Sequence, residues 1–173
     1  KKNDFKSAMN YLNWAFKLQP ENPAIFQTAA ELMRENSQYS QSEWILQNLT
    51  AKNPSSIDNY ILLGKVFLED YKKNKEKLTE EERLNILNQS LTNIKRASAL
   101  SPVNADIHIE LAKVYLEMEK TSKAYDEVLA ADDLGIQDTK NLYFLADFYF
   151  NNGNLNKAVK ILQRPELYNQ KKS

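Results

Sequence analysis

Apolar residues recur with helical periodicity along nearly the whole chain. Near the start, Phe5, Ala8, Leu12 and Ala15 fall three or four residues apart, as on one face of a helix, and the run stops at Pro20. Strand-type alternation is scarce, and the 173 residues include only three glycines and five prolines. The pattern therefore predicts an all-α protein.

One spacing pattern is repeated along the chain. It begins with a small residue, places apolar residues at plus 4 and plus 7, and ends the helix at plus 12, as in Ala8, Leu12, Ala15 and Pro20. It recurs from four further small residues, namely Ser42, Ser90, Ala124 and Ala158. The prolines at 20 and 54 lie 34 residues apart, and those at 54 and 102 lie 48 apart. A period of 34 residues indicates a helical repeat, used once with an insertion of about 14 residues.

A second pattern precedes the first in each unit, with a large residue, a small one at plus 4 and a large one at plus 7. Its members are Phe26, Ala30 and Met33; Tyr60, Gly64 and Phe67; His108, Ala112 and Tyr115; and Leu142, Ala146 and Tyr149. Small residues let two antiparallel helices approach to about 8 to 10 Å. In each unit, the small residue of the second pattern and the small residue of the first pattern are therefore expected to meet where the two helices cross. Gly64 supports this, since glycine inside a helix costs about 1 kcal/mol and a close contact would compensate. A leucine there should overpack the crossing.

These spacings, with a proline closing a 34-residue unit, resemble the tetratricopeptide repeat (TPR) family. The resemblance implies an α-α superhelix, a right-handed solenoid of antiparallel helix pairs. It divides the chain into 1–22, the second helix of a truncated repeat, then repeats at 23–56, 57–104 with an insertion near 70–85, 105–138 and 139–165, and a tail at 166–173. The first helix of the truncated repeat is expected upstream, so we interpret the chain as a fragment. Pro165 is expected to end or kink the last helix near Gln163.

The insertion is highly charged from residue 69 to 84. Thr79 and Glu82 form a capping-box pattern, which predicts a helix from about residue 80 to Leu100. The insertion either lengthens a helical hairpin with a solvated tip or forms a second surface that contacts a partner. The residues of that second candidate surface are Tyr71, Leu78, Leu84 and Leu87.

In TPR arrays the first helix of each unit lines the concave face, where extended or helical peptides bind. The resemblance thus implies a protein-binding groove made of Glu31, Arg34, Ile61, Lys65, Leu68, Ile109, Lys113, Leu116, Tyr143, Asp147 and Phe150. Its apolar members would form a strip suited to an amphipathic helix or a hydrophobic peptide. Alternatively, the chain's own segment Pro165 to Asn169 covers part of the strip, or the strip packs between neighbouring helices.

Charge and composition exclude several other functions. The 23 basic residues balance 23 acidic ones, so no net positive field favours nucleic acid. No apolar run approaches the roughly 18 to 20 residues of a membrane-spanning helix, so we expect no direct membrane insertion by this fragment. Cysteine is absent, and the single histidine, His108, occupies an aromatic packing slot against the preceding unit. Asp132 and Asp133 are expected to cap a helix end or stay solvated.

No nucleophile, phosphate loop or acid/base pair is recognisable, so we expect neither an enzyme nor a cofactor or metal. We predict a scaffold or adaptor that binds a peptide or helix of another protein, whose identity stays open. The alternative is a structural module for self-association or interdomain packing, in a bacterial cell-envelope protein. The sequence leaves the compartment open: it is compatible with the cytoplasm or, if an upstream signal or lipid anchor was removed, with the periplasm or cell envelope.

Overall fold

The computed structural model of this protein describes residues 2–164 and residue 167, and every regular element among them is helical. This confirms the all-α class. The α-helices are α1 (Lys2–Leu18), α2 (Pro23–Glu35), α3 (Tyr39–Lys52), α4 (Ile57–Asn74), α5 (Glu80–Leu100), α6 (Ala105–Glu117), α7 (Thr121–Leu134), α8 (Thr139–Asn151) and α9 (Leu155–Leu162), with a short 3-10 helix at Lys75–Lys77. In this described part, no helix combines the length and apolar character needed to cross a bilayer.

The chain forms two compact units, Lys1–Ser101 with α1 to α5 and Pro102–Ser173 with α6 to α9. In the first unit α2 packs on α3 and α4 on α5, and in the second α6 packs on α7 and α8 on α9. Each pair consists of consecutive helices joined by a short loop, which is the antiparallel hairpin of a helical repeat. The exact repeat bounds, from 23–56 to 139–165, stay predictions.

Each hairpin closes where two small residues meet. Ala30 and Ser42 are both fully buried, and the Ser42 hydroxyl donates a hydrogen bond to the Ala30 carbonyl oxygen at 2.7 Å. Ser90 repeats this contact, donating to the Gly64 carbonyl oxygen at 2.8 Å. In the second unit the corresponding residues are alanines, and Ala112 and Ala124 are fully buried. Serine at these positions therefore adds a buried hydrogen bond to a contact that only a small residue permits.

Gly64 shows how little room the crossing of α4 and α5 leaves. A Cβ atom at residue 64 would overlap Ile94 Cδ1 and lie 2.6 Å from Ile94 Cγ1 and 3.2 Å from the Ser90 carbonyl oxygen. Ile94 is only 1% exposed, so its side chain has no solvent-filled space to move into. The predicted close contact at Gly64 is confirmed.

The insertion lengthens the hairpin of α4 and α5. The predicted helix is confirmed as α5, Glu80–Leu100, with Thr79 at its N-cap. The Glu82 carboxylate accepts from the Thr79 backbone N–H at 2.8 Å, and the Thr79 hydroxyl accepts from the Glu82 N–H at 3.3 Å. The hydrogen bond from the Thr79 backbone lowers the pKa of Glu82 below its usual value. The capping box thus starts a helix long enough to match the 18 residues of α4.

Helix ends elsewhere follow their sequence signals. Gly135, at φ +84°, is the C-cap of α7, as expected from a residue that tolerates the left-handed region. The last helix, α9, ends at Leu162 with Gln163 as its C-cap, in agreement with the predicted stop. Pro165 lies outside the described residues, and so, apart from residue 167, do the segment Pro165 to Asn169 and the predicted tail 166–173.

We predict that Gly64→Ala destabilises the protein despite alanine's higher helix propensity. Overpacking a filled core costs about 1 to 3 kcal/mol, whereas the propensity gain is about 1 kcal/mol. We therefore expect a net loss of about 1 kcal/mol in the free energy of unfolding, measured by urea denaturation followed by circular dichroism.

An Ile94→Val background removes the overlapping Cδ1 atom and serves as the control. There Gly64→Ala should cost less, because the two changes involve one contact. An equal cost in both backgrounds would contradict the crossing explanation.

Candidate protein-binding surfaces

In unit 1 the first helix of each hairpin, α2 or α4, exposes fewer of the predicted groove residues to solvent than expected. Leu68 on α4 is only 4% exposed, whereas Ile61 and Lys65 are half-buried. The prediction that Leu68 lines an open surface is therefore wrong. The reason is that α4 packs against α2, α3 and α5, which buries most of its circumference.

An ion pair between Arg34 and Glu69 joins α2 to α4, the first helices of the two hairpins in unit 1. Arg34 on α2 donates from Nη1 to Glu69 Oε1 on α4 at 2.6 Å, and its guanidinium is mostly buried. Glu31, one turn earlier on α2, is exposed. Arg34 was predicted to contact a partner, but in this structure its guanidinium stabilises the packing of α2 on α4.

Unit 2 shows the same division between packed and open positions. Ile109 on α6 is fully buried, because α6 packs on both α7 and α8. The prediction of an open apolar strip is thus also wrong at Ile109, and helix packing explains this residue. Leu116 and Lys113 on α6 are half-buried.

Lys113 belongs to a hydrogen-bond network that links α6 to α8. Its ammonium donates to Glu110 Oε1 at 2.9 Å and to Asn141 Oδ1 at 3.0 Å. Asn141 Nδ2 in turn donates to Asp106 Oδ1 at 2.8 Å. Glu110 and Asn141 are buried, so these bonds offset the cost of removing a carboxylate and an amide from water. Sequence reasoning missed both residues, although the spacing of Glu110 and Lys113 at i,i+3 was a usable signal.

One face of α8 stays open to solvent. Tyr143 is 49% exposed and Phe150 is 62% exposed, and the exposed Asp147 lies between them. At spacings of four and then three residues, the three side chains share one helix face. We call Tyr143, Asp147 and Phe150 the α8 face. Among the predicted groove residues, these three are brought together and left accessible.

The second candidate surface, on the long hairpin, is mostly buried. Tyr71 and Leu87 are 9% and 4% exposed, and Leu78 is half-buried. Only Leu84 of the four predicted residues is well exposed, at 54%. The prediction of a contact surface is wrong for Tyr71 and Leu87, because the packing of α4 against α5 covers them.

A polar cluster in unit 2 ties α7, α8 and α9 together. Tyr149 donates its hydroxyl proton to Asp132 Oδ2 at 2.9 Å, and Lys157 Nζ donates to the same oxygen at 3.2 Å. Arg164 Nη2 lies 3.7 Å from Asp132 Oδ1. Asp132 is therefore half-buried and engaged by three side chains, which corrects the expectation that it caps a helix end or stays solvated; Asp133 is exposed, as expected.

The surroundings of this cluster raise the pKa values of Tyr149 and Lys157. Burial raises the pKa of the Tyr149 hydroxyl above its usual value, and the neighbouring Asp132 carboxylate acts in the same direction. The hydrogen bond to Tyr149 raises the pKa of Lys157, and Asp132 adds to this rise. Both groups therefore hold their protons more tightly in the folded protein than in the unfolded chain.

His108 is held inside unit 2 by two hydrogen-bond contacts. Its Nδ1 lies 2.7 Å from Glu127 Oε2 on α7, and its Nε2 lies 3.1 Å from the Pro102 carbonyl oxygen. These contacts hold the His108 ring in place, and its packing against the preceding unit stays a prediction. Within the part of the chain that the structure describes, no group of three or more metal-ligating side chains is placed to hold an ion.

Solved structures with this fold share little sequence with the chain. TTC0263, a thermophilic TPR protein in Thermus thermophilus, is 21% identical, with a TM-score of 0.81 over 98% of this chain and 84% of that chain. MamA from Desulfovibrio magneticus RS-1 is 16% identical, with a TM-score of 0.64 over 99% and 90% of the two chains. IFIT1, as a monomeric mutant with m7Gppp-AAAA, is 14% identical, with a TM-score of 0.63 over 88% of this chain and 48% of its own.

No protein-family model and no curated protein sequence matches the chain. The structural similarities show the fold, which is the TPR-like, all-α helical repeat that the spacing predicted. Arrays of this kind generally act as protein-interaction scaffolds with extended binding surfaces.

We predict that the Asp132 cluster loses its stabilising effect at alkaline pH. The unfolded chain releases the tyrosine and lysine protons near pH 10 to 10.4, whereas the raised pKa values keep them bound in the folded state. Because the folded state then binds more protons, the free energy of unfolding falls as the pH rises above about 10.

Tyr149→Phe should cost about 1 to 3 kcal/mol at pH 7, through the lost hydrogen bond to a charged group. The difference from the wild type should shrink above pH 10 in urea denaturation. Tyr143→Phe, at an exposed tyrosine, is the matched control and should show no such trend. A difference for Tyr149→Phe that stays constant from pH 7 to 10.5 would contradict the assigned role.

Proposed function

We propose that this protein is an interaction scaffold that binds a peptide or helix of a partner protein, with the α8 face as its main contact. The observation that carries the proposal is the exposure of two aromatic side chains, Tyr143 and Phe150, on one side of α8. Aromatic residues are enriched among those that dominate protein interfaces. Two of them exposed together therefore support a binding role.

The spacing on the α8 face restricts the partner. Residues seven apart on a helix lie about 10.5 Å apart along its axis. That distance matches two apolar side chains two turns apart on a partner helix, or about three residues apart in an extended peptide. Asp147 between them favours a basic residue at the centre of the partner segment. We therefore propose a segment in which two apolar residues flank a lysine or arginine.

Charge supports a protein partner over a nucleic acid. The solved IFIT1 structure holds m7Gppp-AAAA, so a TPR-like fold is compatible with binding capped RNA. This chain has 23 basic and 23 acidic residues, and the α8 face carries a carboxylate. A phosphate backbone would be repelled there, whereas a basic peptide would be attracted.

We expect the variant Tyr143→Ala with Phe150→Ala to lose a partner that the wild-type protein captures from lysate of the source organism. The matched control is Leu155→Ala with Val159→Ala, which removes two comparably exposed apolar side chains from α9. Circular dichroism should show equal helical content for all three proteins. The captured partner, once purified, should bind the first variant at least about tenfold more weakly, as expected for interface anchors.

Two results would contradict the proposal. One is a partner bound equally well by the α8 variant and the wild type. The other is capture of RNA in place of protein, measured by nuclease sensitivity of the captured material.

Self-association is the second candidate function, and a different observation favours it. Leu155, Val159 and Leu162 on α9 are 55%, 53% and 41% exposed and share one helix face. If these three residues form an interface between copies of the chain, the protein should sediment as an oligomer whose size depends on concentration. Val159→Lys should then convert it to a monomer, whereas Tyr143→Lys should not; a wild-type monomer at all concentrations would exclude this function.

A further inference from the structure

A cavity with polar walls lies in unit 1 between the N-terminal halves of α2 and α4 and the C-terminal end of α3. Its volume of about 410 Å³ is that of a small-molecule site. The polar residues that line it are Glu21, Gln27, Lys52, Asn53, Ser56 and Asn59.

Asn59 lines this cavity with a side-chain amide that has no partner. The residue is only 6% exposed. Its backbone N–H donates to Ser56 Oγ at 3.4 Å, but among the described residues no group forms a hydrogen bond with its side chain. A buried amide without a hydrogen bond destabilises a folded protein, so packing does not explain this asparagine.

The other repeats show what packing alone favours at this position. Steps of 34 residues, or 48 across the insertion, relate Asn59 to Ile25, Ile107 and Asn141. Ile107 is fully buried and Ile25 is half-buried. An isoleucine therefore fits the position, and an asparagine there requires a group that bonds to it.

Asn141 shows which groups bond to such an asparagine. Its Nδ2 donates to Asp106 Oδ1 at 2.8 Å, and its Oδ1 accepts from Lys113 Nζ at 3.0 Å. The α2 residues equivalent to Asp106 and Lys113 are Ala24 and Glu31, both exposed. Since Ala24 lines the cavity, the cavity in unit 1 lies where unit 2 holds a carboxylate.

We propose that this cavity is a binding site for a carboxylate, which accepts a hydrogen bond from Asn59 Nδ2 as Asp106 does from Asn141. The carboxylate belongs to an aspartate side chain of a partner protein or to a small organic acid. The site lies within unit 1 and is distinct from the α8 face.

The surrounding charges favour an anion. Ala24 and Asn59 lie in the first turns of α2 and α4, where the positive ends of the helix dipoles stabilise negative charge. Lys52 offsets the negative end of α3 and adds an exposed ammonium to the lining, whereas the exposed Glu21 acts against an anion. The buried amide of Asn59 supplies the directed donor that selects a carboxylate.

The test is an NMR titration of the isotope-labelled protein, followed through its side-chain and backbone amide signals. One arm uses the blocked tripeptide N-acetyl-Gly-Asp-Gly-amide, whose only carboxylate is on the side chain, and the other uses sodium acetate. The controls are N-acetyl-Gly-Asn-Gly-amide and sodium chloride at equal ionic strength. We expect saturable shifts of the Asn59 and Gln27 side-chain signals with the carboxylate ligands alone. Tighter binding of the tripeptide identifies a protein side chain as the source, and tighter binding of acetate identifies a free acid.

Asn59→Ile separates loss of binding from loss of fold. It removes the donor and should abolish the saturable shift of the Gln27 signal. The same variant should raise the urea midpoint of unfolding, because no amide is then buried without a partner. Asn48→Ile, the same change at an exposed position of α3, is the matched control and should leave binding unchanged.

Two exposed residues of opposite charge test that the ligand is an anion. At low ionic strength Lys52→Gln should weaken binding of the carboxylate, and Glu21→Gln should strengthen it. A neutral ligand would respond to neither change.

Ala24→Asp tests the equivalence with unit 2. It places a carboxylate where Asp106 has one, and this group should compete with the ligand for the Asn59 amide and weaken binding at least about tenfold. Thr28→Asp adds the same charge at an exposed position one turn further along α2 and should have a much smaller effect.

Three outcomes would overturn the proposal. The first is the lack of a saturable shift in both arms, or an equal shift with the asparagine tripeptide. The second is unchanged binding to the Asn59→Ile variant. The third is a lower urea midpoint for Asn59→Ile than for the wild type in the absence of ligand, because the amide would then have a stabilising partner within the protein.

Discussion

The close approach of paired helices at small residues is the contact on which the rest of this structure depends. At Ala30 and Ser42, and again at Gly64 and Ser90, the side chains are small enough for a serine hydroxyl to reach the carbonyl oxygen of the facing helix. Such proximity buries the large residues on either side and determines how each hairpin closes. Since the same contact recurs, the two hairpins within each unit present equivalent positions to one another.

Within each unit, polar contacts connect the first helix of one hairpin to the first helix of the next. In unit 1 the ion pair of Arg34 with Glu69 joins α2 to α4. In unit 2 the link between α6 and α8 is a network through Lys113 and Asn141 instead. Charged side chains that would otherwise be available to a ligand are thus used in packing. What stays available on α8 is an acidic residue flanked by two aromatic ones.

Much of the fold was predictable from local signals. The capping box at Thr79 and the glycine stop at Gly135 act through atoms a few residues away, so their consequences follow from sequence spacing alone. The binding surface was less predictable. Leu68 and Ile109 are at positions that spacing assigns to a groove, yet both are buried. Helical phase gives the direction of a side chain, but the number of helices around it determines whether it meets solvent.

The sequence by itself determined the helices, their pairing and the residues at each crossing, because a 34-residue period of small and large side chains permits close antiparallel packing at those positions and few others. Only the tertiary structure decided which faces are open. Asp132 illustrates the difference, since its partners Tyr149 and Lys157 lie 17 and 25 residues away in the chain. Burial and hydrogen bonding depend on neighbours distant in sequence, and these are brought together only when the hairpins have packed.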